Sequence, residues 1–375
     1  MIKNLLCSLP LSVKIIISTL KTYSDKEKRL ALKTINQYSD ANYDEINTKK
    51  YRKNLKKFLT TSLFNGKETC EYIKYLYTDK IELIHDEYIY ENKPVIICVV
   101  KNEADKLENF FLHYKSLGEF NYIFIDNGST DDSINILKKN NVKIYRCIEK
   151  FSTNRKVSWI NKIYSTLPDG IWTILLDADE LLTYIGYENR KINEILKIFE
   201  KRNINTAGAV MIDMFSKEPV DKLNYIDKYI YFENLFHEEK SFYFKSIYGG
   251  IREREFKFGN NRMFLIKKHP VVRKTLNSML IHCHYIYPFK RNFESEVYFG
   301  LLHYKLFDSE IEKYRRIAKE QSYGNNSIEY KRYLKIFNEK SYADIFKSDK
   351  NTVCYEGSNS LRLISCINEV ENTNE

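Results

Sequence analysis

Asp177 and Asp179 stand one residue apart at the end of a short apolar run, residues 172–176, with Glu180 directly behind them. A tight-turn Asp-x-Asp lets two carboxylates converge on one divalent cation while the strand behind stays buried. Hard oxygen ligands of this kind suit Mg2+ or Mn2+, which also bridge to the phosphates of a nucleotide. A further acid, Asp213, ends the apolar run at 209–212, and a carboxylate delivered that way can take a proton from an attacking hydroxyl. Glu238, Glu239, Glu253 and Glu255 are rivals for that role, and all five also read as charged loop residues facing water. Cations are grouped too. Gly249-Gly250 precedes Arg252 and Arg254. Paired glycines permit close backbone approach, and alternate arginines of an extended segment share one side, where their forked donors grip phosphate or carboxylate. Arg155 and Lys156 precede a helical pattern and could also reach phosphate. His282-Cys283-His284 on a strand puts two rings on one face, a spacing compatible with zinc. No nearby Cys or His pair completes a four-ligand structural site, so zinc is not expected.

Buried strands must deliver these groups. Residues 94–100 form a nearly continuous apolar run of the parallel-strand type, leading into Lys101-Asn102-Glu103. Leu107, Phe110, Phe111, Tyr114 and Leu117 then mark one face of a helix that Gly118 stops. Residues 122–125 predict a second strand, delivering Asp126; Gly128 permits a tight turn, and Ser129 or Thr130 can cap the helix continuing through Ile134 and Leu137. Residues 142–145 read as a third strand, 156–166 as a helix and 172–176 as a fourth strand. Strands alternating with helices at this spacing predict a parallel sheet, and such sheets bind ligands beyond the carboxyl ends of their strands. Glu103, Asp126, Asp177 and Asp179 all fall at or just after such ends.

Val-Val-Lys-Asn-Glu-Ala-Asp at 99–105, Ile-Asp-Asn-Gly-Ser-Thr-Asp-Asp at 125–132 and Leu-Leu-Asp-Ala-Asp-Glu at 175–180 resemble the successive motifs of family 2-like bacterial glycosyltransferases. The likeness continues in Asp213-Met214-Phe215, in residues 249–254 and in Leu301-Leu302-His303-Tyr304-Lys305, so it spans residues 93–310. The resemblance implies a GT-A fold, a Rossmann-like α/β domain with a mostly parallel sheet flanked by helices. It also implies a nucleotide-sugar donor, transfer with inversion to a glycan or lipid-linked acceptor, and a role in bacterial surface polysaccharide or lipooligosaccharide synthesis. Site residues follow from the same likeness. Asp126 would contact the base or ribose, and Asn102, Glu103, Arg155, Asp177, Arg252 and Arg254 would belong to the nucleotide-sugar site. Asp177, Asp179 and a C-terminal histidine, His303 ahead of His282, would hold Mn2+ or Mg2+. Asp213 would be the catalytic residue, and Lys305 a phosphate contact.

Composition is compatible with this. The net charge of +10 suits anionic substrates or a membrane surface. No helix-turn-helix, zinc or RNA-binding pattern is present, so nucleic acid is not an expected partner. Seven scattered cysteines without a Cys-x-x-Cys pair read as reduced thiols of a cytoplasmic protein. The apolar character of residues 1–20 is broken by Lys3, Pro10 and Lys14, too short a run to span a bilayer and without a convincing cleavage site. The expected location is therefore the cytoplasm, with peripheral contact to the inner membrane face. Three parts are expected: a helical N-terminal extension over 1–92, the GT-A domain over 93–307, and a helical cover over 308–375 that frays over 369–375. Two other functions share some of the signal. A haloacid dehalogenase-like phosphohydrolase also places Asp-x-Asp after a parallel strand, but on its earliest one. A non-catalytic sugar-nucleotide or glycan-binding protein would keep the fold without needing the metal pair.

Overall fold

The structure is a computed structural model. It describes residue 72, residues 74–76 and 78–86, and residues 92–371 apart from 221–224, 241–244, 258–263, 276–277, 288–290, 293–294 and 308–309. Most of the expected N-terminal extension lies outside these residues. Its described end is helical at residues 72, 74–76 and 78, as expected, and then forms a strand, β1 (Glu82–His85), that was not expected. The chain then runs β2 (Val95–Val100), α1 (Ala104–Leu117), β3 (Asn121–Asp126), α2 (Ser133–Lys138), β4 (Lys143–Arg146), α3 (Thr153–Thr166), β5 (Trp172–Leu176), β6 (Glu180–Thr183), α4 (Ile192–Lys201) and β7 (Thr206–Asp213). After β8 (Tyr231–Glu233), β9 (Phe236–Lys240) and β10 (Lys245–Gly249) come α5 (Gly250–Glu255), β11 (Lys267–Arg273), the hairpin β12 (Met279–His282) and β13 (Tyr285–Tyr287), and β14 (Val297–His303). The C-terminal part holds α6 (Ile311–Glu320), α7 (Gly324–Glu339), α8 (Tyr342–Ile345) and β15 (Thr352–Cys354).

Nine strands form one sheet in the order β1-β4-β3-β2-β5-β11-β7-β14-β6. Of these, β2, β3, β4, β5, β7 and β14 run one way and β1, β6 and β11 the other. Period-two alternation divides each central strand between two cores. Ile96, Cys98 and Val100 of β2 face one side with Tyr122 and Phe124 of β3; Val95 and Ile97 face the other with Ile123 and Ile125. The first side is covered by α1 through Leu107, Phe110, Phe111, Tyr114 and Leu117, the stripe the helical period predicted. The second is covered by α3 through Trp159, Ile160, Ile163 and Tyr164.

Ser152 caps α3 by accepting the Arg155 N–H at 3.2 Å. The cap of α2 differs from expectation. Asp131 accepts the Ser133 N–H at 3.0 Å, while the Ser129 hydroxyl is spent on the Asn102 N–H. The C-terminal part is more than a cover, because β15 pairs with β8, and α6 and α7 wall the cavity described below. Val370 is buried, so the expected fraying does not begin at 369. Among the described residues no helix is long and apolar enough to cross a membrane. Cys98, Cys147, Cys283, Cys354 and Cys366 are free thiols.

Candidate functional site

Because β2, β3, β5, β7 and β14 run the same way, their carboxyl ends share one edge of the sheet. That edge gathers Glu103, Asp126, Asp177, Asp213 and His303 from positions far apart in the chain. The parallel register of β7 and β14 sets His303 beside Asp213, and antiparallel β6 brings Glu180 opposite His303. The reversed strand β11 begins near this edge, so its first residues, Lys267 and Lys268, arrive there too.

The centre is a chain of acids and one imidazole. His303 Nδ1 donates to Asp213 Oδ1 at 2.6 Å, and its Nε2 lies 3.6 Å from Asp179 Oδ2. Arg252 Nε donates to the other Asp213 oxygen at 2.7 Å. Burial opposes charge on the imidazole, yet the Asp179 and Asp213 carboxylates on either side raise it to about 9. Burial would likewise raise Asp179, but His303 and Lys106 hold it far below the usual carboxylate range. Asp177 is bonded by the Lys156 ammonium and has Lys268 Nζ at 3.6 Å; against the cost of burial these two cations lower it to about 2. Lys268 also bonds Glu180, whose second oxygen takes the Asp177 N–H at 3.1 Å.

The donor set fits a hard divalent cation. Ligand atoms of Asp179, Glu180 and His303 lie within 4.8 Å of one another. Asp213 keeps one proton on Nδ1, so a cation that displaces the Nε2 proton would find that lone pair turned towards Asp179, as carboxylate-oriented histidine ligands do. Glu180 is committed to Lys268 and to the backbone. Asp179 and His303 are therefore the pair best suited to the ion, while Asp177 is ion-paired with lysines.

A cavity of about 1050 Å³ opens over this edge, at the upper end of the range for small-molecule sites. Asp177, Asp179, Glu103, Arg252 and His303 line it; Asn102, Asp126, Arg155, Asp213 and Arg254 do not. Asp126 is fully buried and spent within its own loop, accepting the Gly128 N–H at 3.2 Å, the Ser129 N–H at 2.9 Å and Arg146 Nε at 3.0 Å. Asn102 sits at φ 55° and ties its loop to the next by accepting the Thr130 N–H at 2.7 Å.

Arg155 points away from the edge to Asp79 and Glu149, at 3.2 Å each, and over Tyr75. It is Lys156, one residue on, that faces Asp177. Arg252 and Arg254 diverge because residues 250–255 form a helix instead of an extended segment, and two positions around a helix turn side chains to nearly opposite sides. Arg254 accordingly bonds Glu233 and the Ile345 carbonyl. The close approach expected of the glycine pair is present: a Cβ on Gly249 would run into the Leu235 carbonyl oxygen. Asp213 is 2 % exposed with both oxygens engaged by His303 and Arg252, so it positions His303 and is not itself presented to the cavity. Among its rivals, Glu238, Glu239, Glu253 and Glu255 also do not line the cavity.

Several wall residues had no local signal. Lys268 is buried within β11, and the only hint in the sequence is a lysine pair opening an apolar run. Lys313 reaches from α6 to Glu103 at 2.9 Å, and Glu103 also holds Lys106 at 2.6 Å. Glu329 on α7 takes Lys305 at 2.8 Å and the Tyr333 hydroxyl. Tyr314, Tyr323 and Tyr330 complete this wall, with Lys305 Nζ 4.8 Å from the Tyr330 ring centre. His282, Cys283 and His284, at the β12–β13 turn, also line the cavity. Burial alone would raise the Cys283 thiol, but the two neighbouring imidazoles hold it well below its ordinary range.

Compared with known proteins, the chain matches no family model and no curated sequence.

Proposed function

We propose that this chain is a GT-A-type, metal-dependent glycosyltransferase moving a sugar from a nucleotide-sugar donor to a glycan or lipid-linked acceptor. The observation that carries the reading is the meeting of Asp179 with the Asp213-oriented His303 at the carboxyl edge, beneath a cavity lined by Lys156, Lys268, Lys305 and Lys313. A nucleoside diphosphate needs this combination: a cation held by few protein ligands, and ammonium groups around it. Asp179 and His303 would hold Mn2+ or Mg2+, which when bound offsets charge on the departing diphosphate. Lys156 and Lys268 would take phosphate oxygens in place of Asp177 and Glu180. Tyr323, the half-buried tyrosine of this wall, offers a ring face for the sugar or acceptor. Among the cavity acids, Glu103, Glu310 and Glu329 are tied to lysines. Glu320, exposed on the rim, forms no ion pair among the described residues, and it replaces Asp213 as the candidate proton acceptor. The resemblance in the three ordered motifs points to a role in surface polysaccharide or lipooligosaccharide assembly on the inner membrane face.

The test is incubation with a panel of labelled sugar nucleotides, with and without Mn2+. Slow, Mn2+-dependent release of free sugar without acceptor supports the reading, and Glu320→Gln should leave donor binding intact while lowering transfer about 100-fold. Phosphate release from a monoester would point to a phosphohydrolase. Donor binding without turnover under any metal would leave only a sugar-nucleotide-binding protein.

A further inference from the structure

The β12–β13 turn carries a second, separate group of metal-binding atoms. The side chains of His282, Cys283 and His284 bring one nitrogen or sulfur each to within 4.8 Å of one another. Cys283 Sγ lies 3.5 Å from His282 Nδ1 and 3.7 Å from its Nε2. Zn–S of about 2.3 Å and Zn–N of about 2.0 Å at a tetrahedral angle require an S···N separation of roughly 3.5 Å, which the Cys283–His282 pair already has, and a His284 nitrogen lies within 4.8 Å of both. The His284 tautomer is settled by its neighbour. Nδ1 lies 2.8 Å from the Lys267 carbonyl, which can only accept, so Nδ1 carries a proton and Nε2 is the nitrogen left to hold a cation. His282 Nδ1 meets the His284 N–H only at 3.3 Å, a long contact that a cation on that nitrogen would displace.

The turn is held rigidly on both sides. Asn161 of α3, 1 % exposed, bonds both backbone groups of Leu280 in β12, at 2.8 and 2.6 Å. Asn292, equally buried, does the same for Ile286 in β13, at 2.9 and 2.6 Å. Two paired amide clamps preset the three ligands, which lowers the ordering cost of binding. A closed structural site would need a fourth protein ligand, and its absence from the sequence argued against zinc. The fold changes that argument, because all three residues face the cavity, where water or a ligand oxygen can take the fourth position.

We propose that His282, Cys283 and His284 bind Zn2+, or a similarly thiophilic divalent cation, in a three-ligand site open to the cavity and distinct from the Asp179–His303 pair. Thiolate and imidazole donors select soft or borderline metals, whereas carboxylates select Mg2+ and Mn2+, so one cavity would carry two sites of different preference. The site does not depend on the transferase reading.

The experiment is titration of the full-length chain with Co2+, read by sulfur-to-cobalt charge-transfer absorption, followed by displacement with Zn2+. One equivalent of Co2+ should produce the band and one equivalent of Zn2+ should remove it. Cys283→Ser should abolish it, His284→Gln should weaken binding about 100-fold, and Asp179→Asn should leave it unchanged. No band in the wild-type chain, or a band that survives Cys283→Ser, would overturn the proposal. So would Zn2+ affinity lost in Asp179→Asn and kept in His284→Gln. Should Cys283→Ser fail to fold, the wild-type band and the His284→Gln titration decide the matter.

Discussion

Asp126 and Asp177 come from the same local pattern, an apolar parallel strand ending in an acid, and they reach the same edge of the sheet. Their fates differ. The Asp126 loop turns at Gly128 so that two backbone N–H groups and Arg146 consume its carboxylate, leaving it fully buried. The loop after β5 offers the Asp177 and Asp179 side chains only partners from distant segments, and these side chains stay 31 % and 24 % exposed. A strand end places an acid at the rim; the few residues after it decide whether that acid keeps capacity for a ligand. Two bonds to one's own turn make a structural aspartate, and bonds to side chains from distant segments leave one that a ligand can share.

The largest effect that would break this contrast is at Asp179. Asp179→Ala should lower Mn2+-dependent sugar transfer or donor hydrolysis about 1000-fold with an unchanged unfolding midpoint; an active variant under chelation would remove the metal site. Asp213→Asn should raise the Mn2+ concentration for half-maximal activity about 10- to 100-fold, with recovery at saturating Mn2+, because it acts by orienting His303. Loss of activity at every Mn2+ concentration would return Asp213 to the reacting groups. Asp126→Ala should cost about 2 kcal/mol of stability in urea unfolding, by exposing the loss of its two turn bonds, and should leave the donor KM within a few-fold of wild type. A large KM effect with no stability change would make Asp126 a ligand contact after all.

The smallest effect extends the contrast to histidines. His303 sits between two acids, whereas half-buried His113 has no acid beside it among the described residues and donates Nε2–H to the Leu182 carbonyl at 2.7 Å. Burial lowers its folded pKa to about 4, against about 6.5 in the unfolded chain. Between these values the unfolded chain binds the proton and the folded chain does not, so this contribution is complete above pH 6.5 and is lost as pH falls towards 4. The difference in urea midpoint between wild type and His113→Gln, followed from pH 7 to 4.5, should shrink steadily. A flat difference would refute the burial argument.

Much of the architecture was legible because it depends on local rules. Trp172–Leu176 matches its expected bounds, the α1 stripe holds residue for residue, and β4 is displaced by only one position. The missed arginine geometry has a simple cause: Gly250–Glu255 is a six-residue helix, and a Gly-Gly opening reads equally well as an extended turn. Arg155 and Lys156 could not be told apart either, since which of two adjacent helical cations faces the edge depends on the packing of α3 against the sheet. Lys268, Lys313 and Glu329 escaped notice because each is an ordinary charged residue along the chain.

The sequence alone determined which acids end strands, through apolar runs whose termination needs no knowledge of the rest of the chain. It also determined the chemistry of the available donors: carboxylates for a hard cation, and a thiol between imidazoles for a soft one. Only the tertiary structure decided which donors meet. Strand order set Asp213 beside His303, the reversal of β11 brought Lys268 to Asp177, and the β12–β13 turn folded three consecutive side chains together. Those pairings rest on long-range register and packing, which no local stretch of residues encodes.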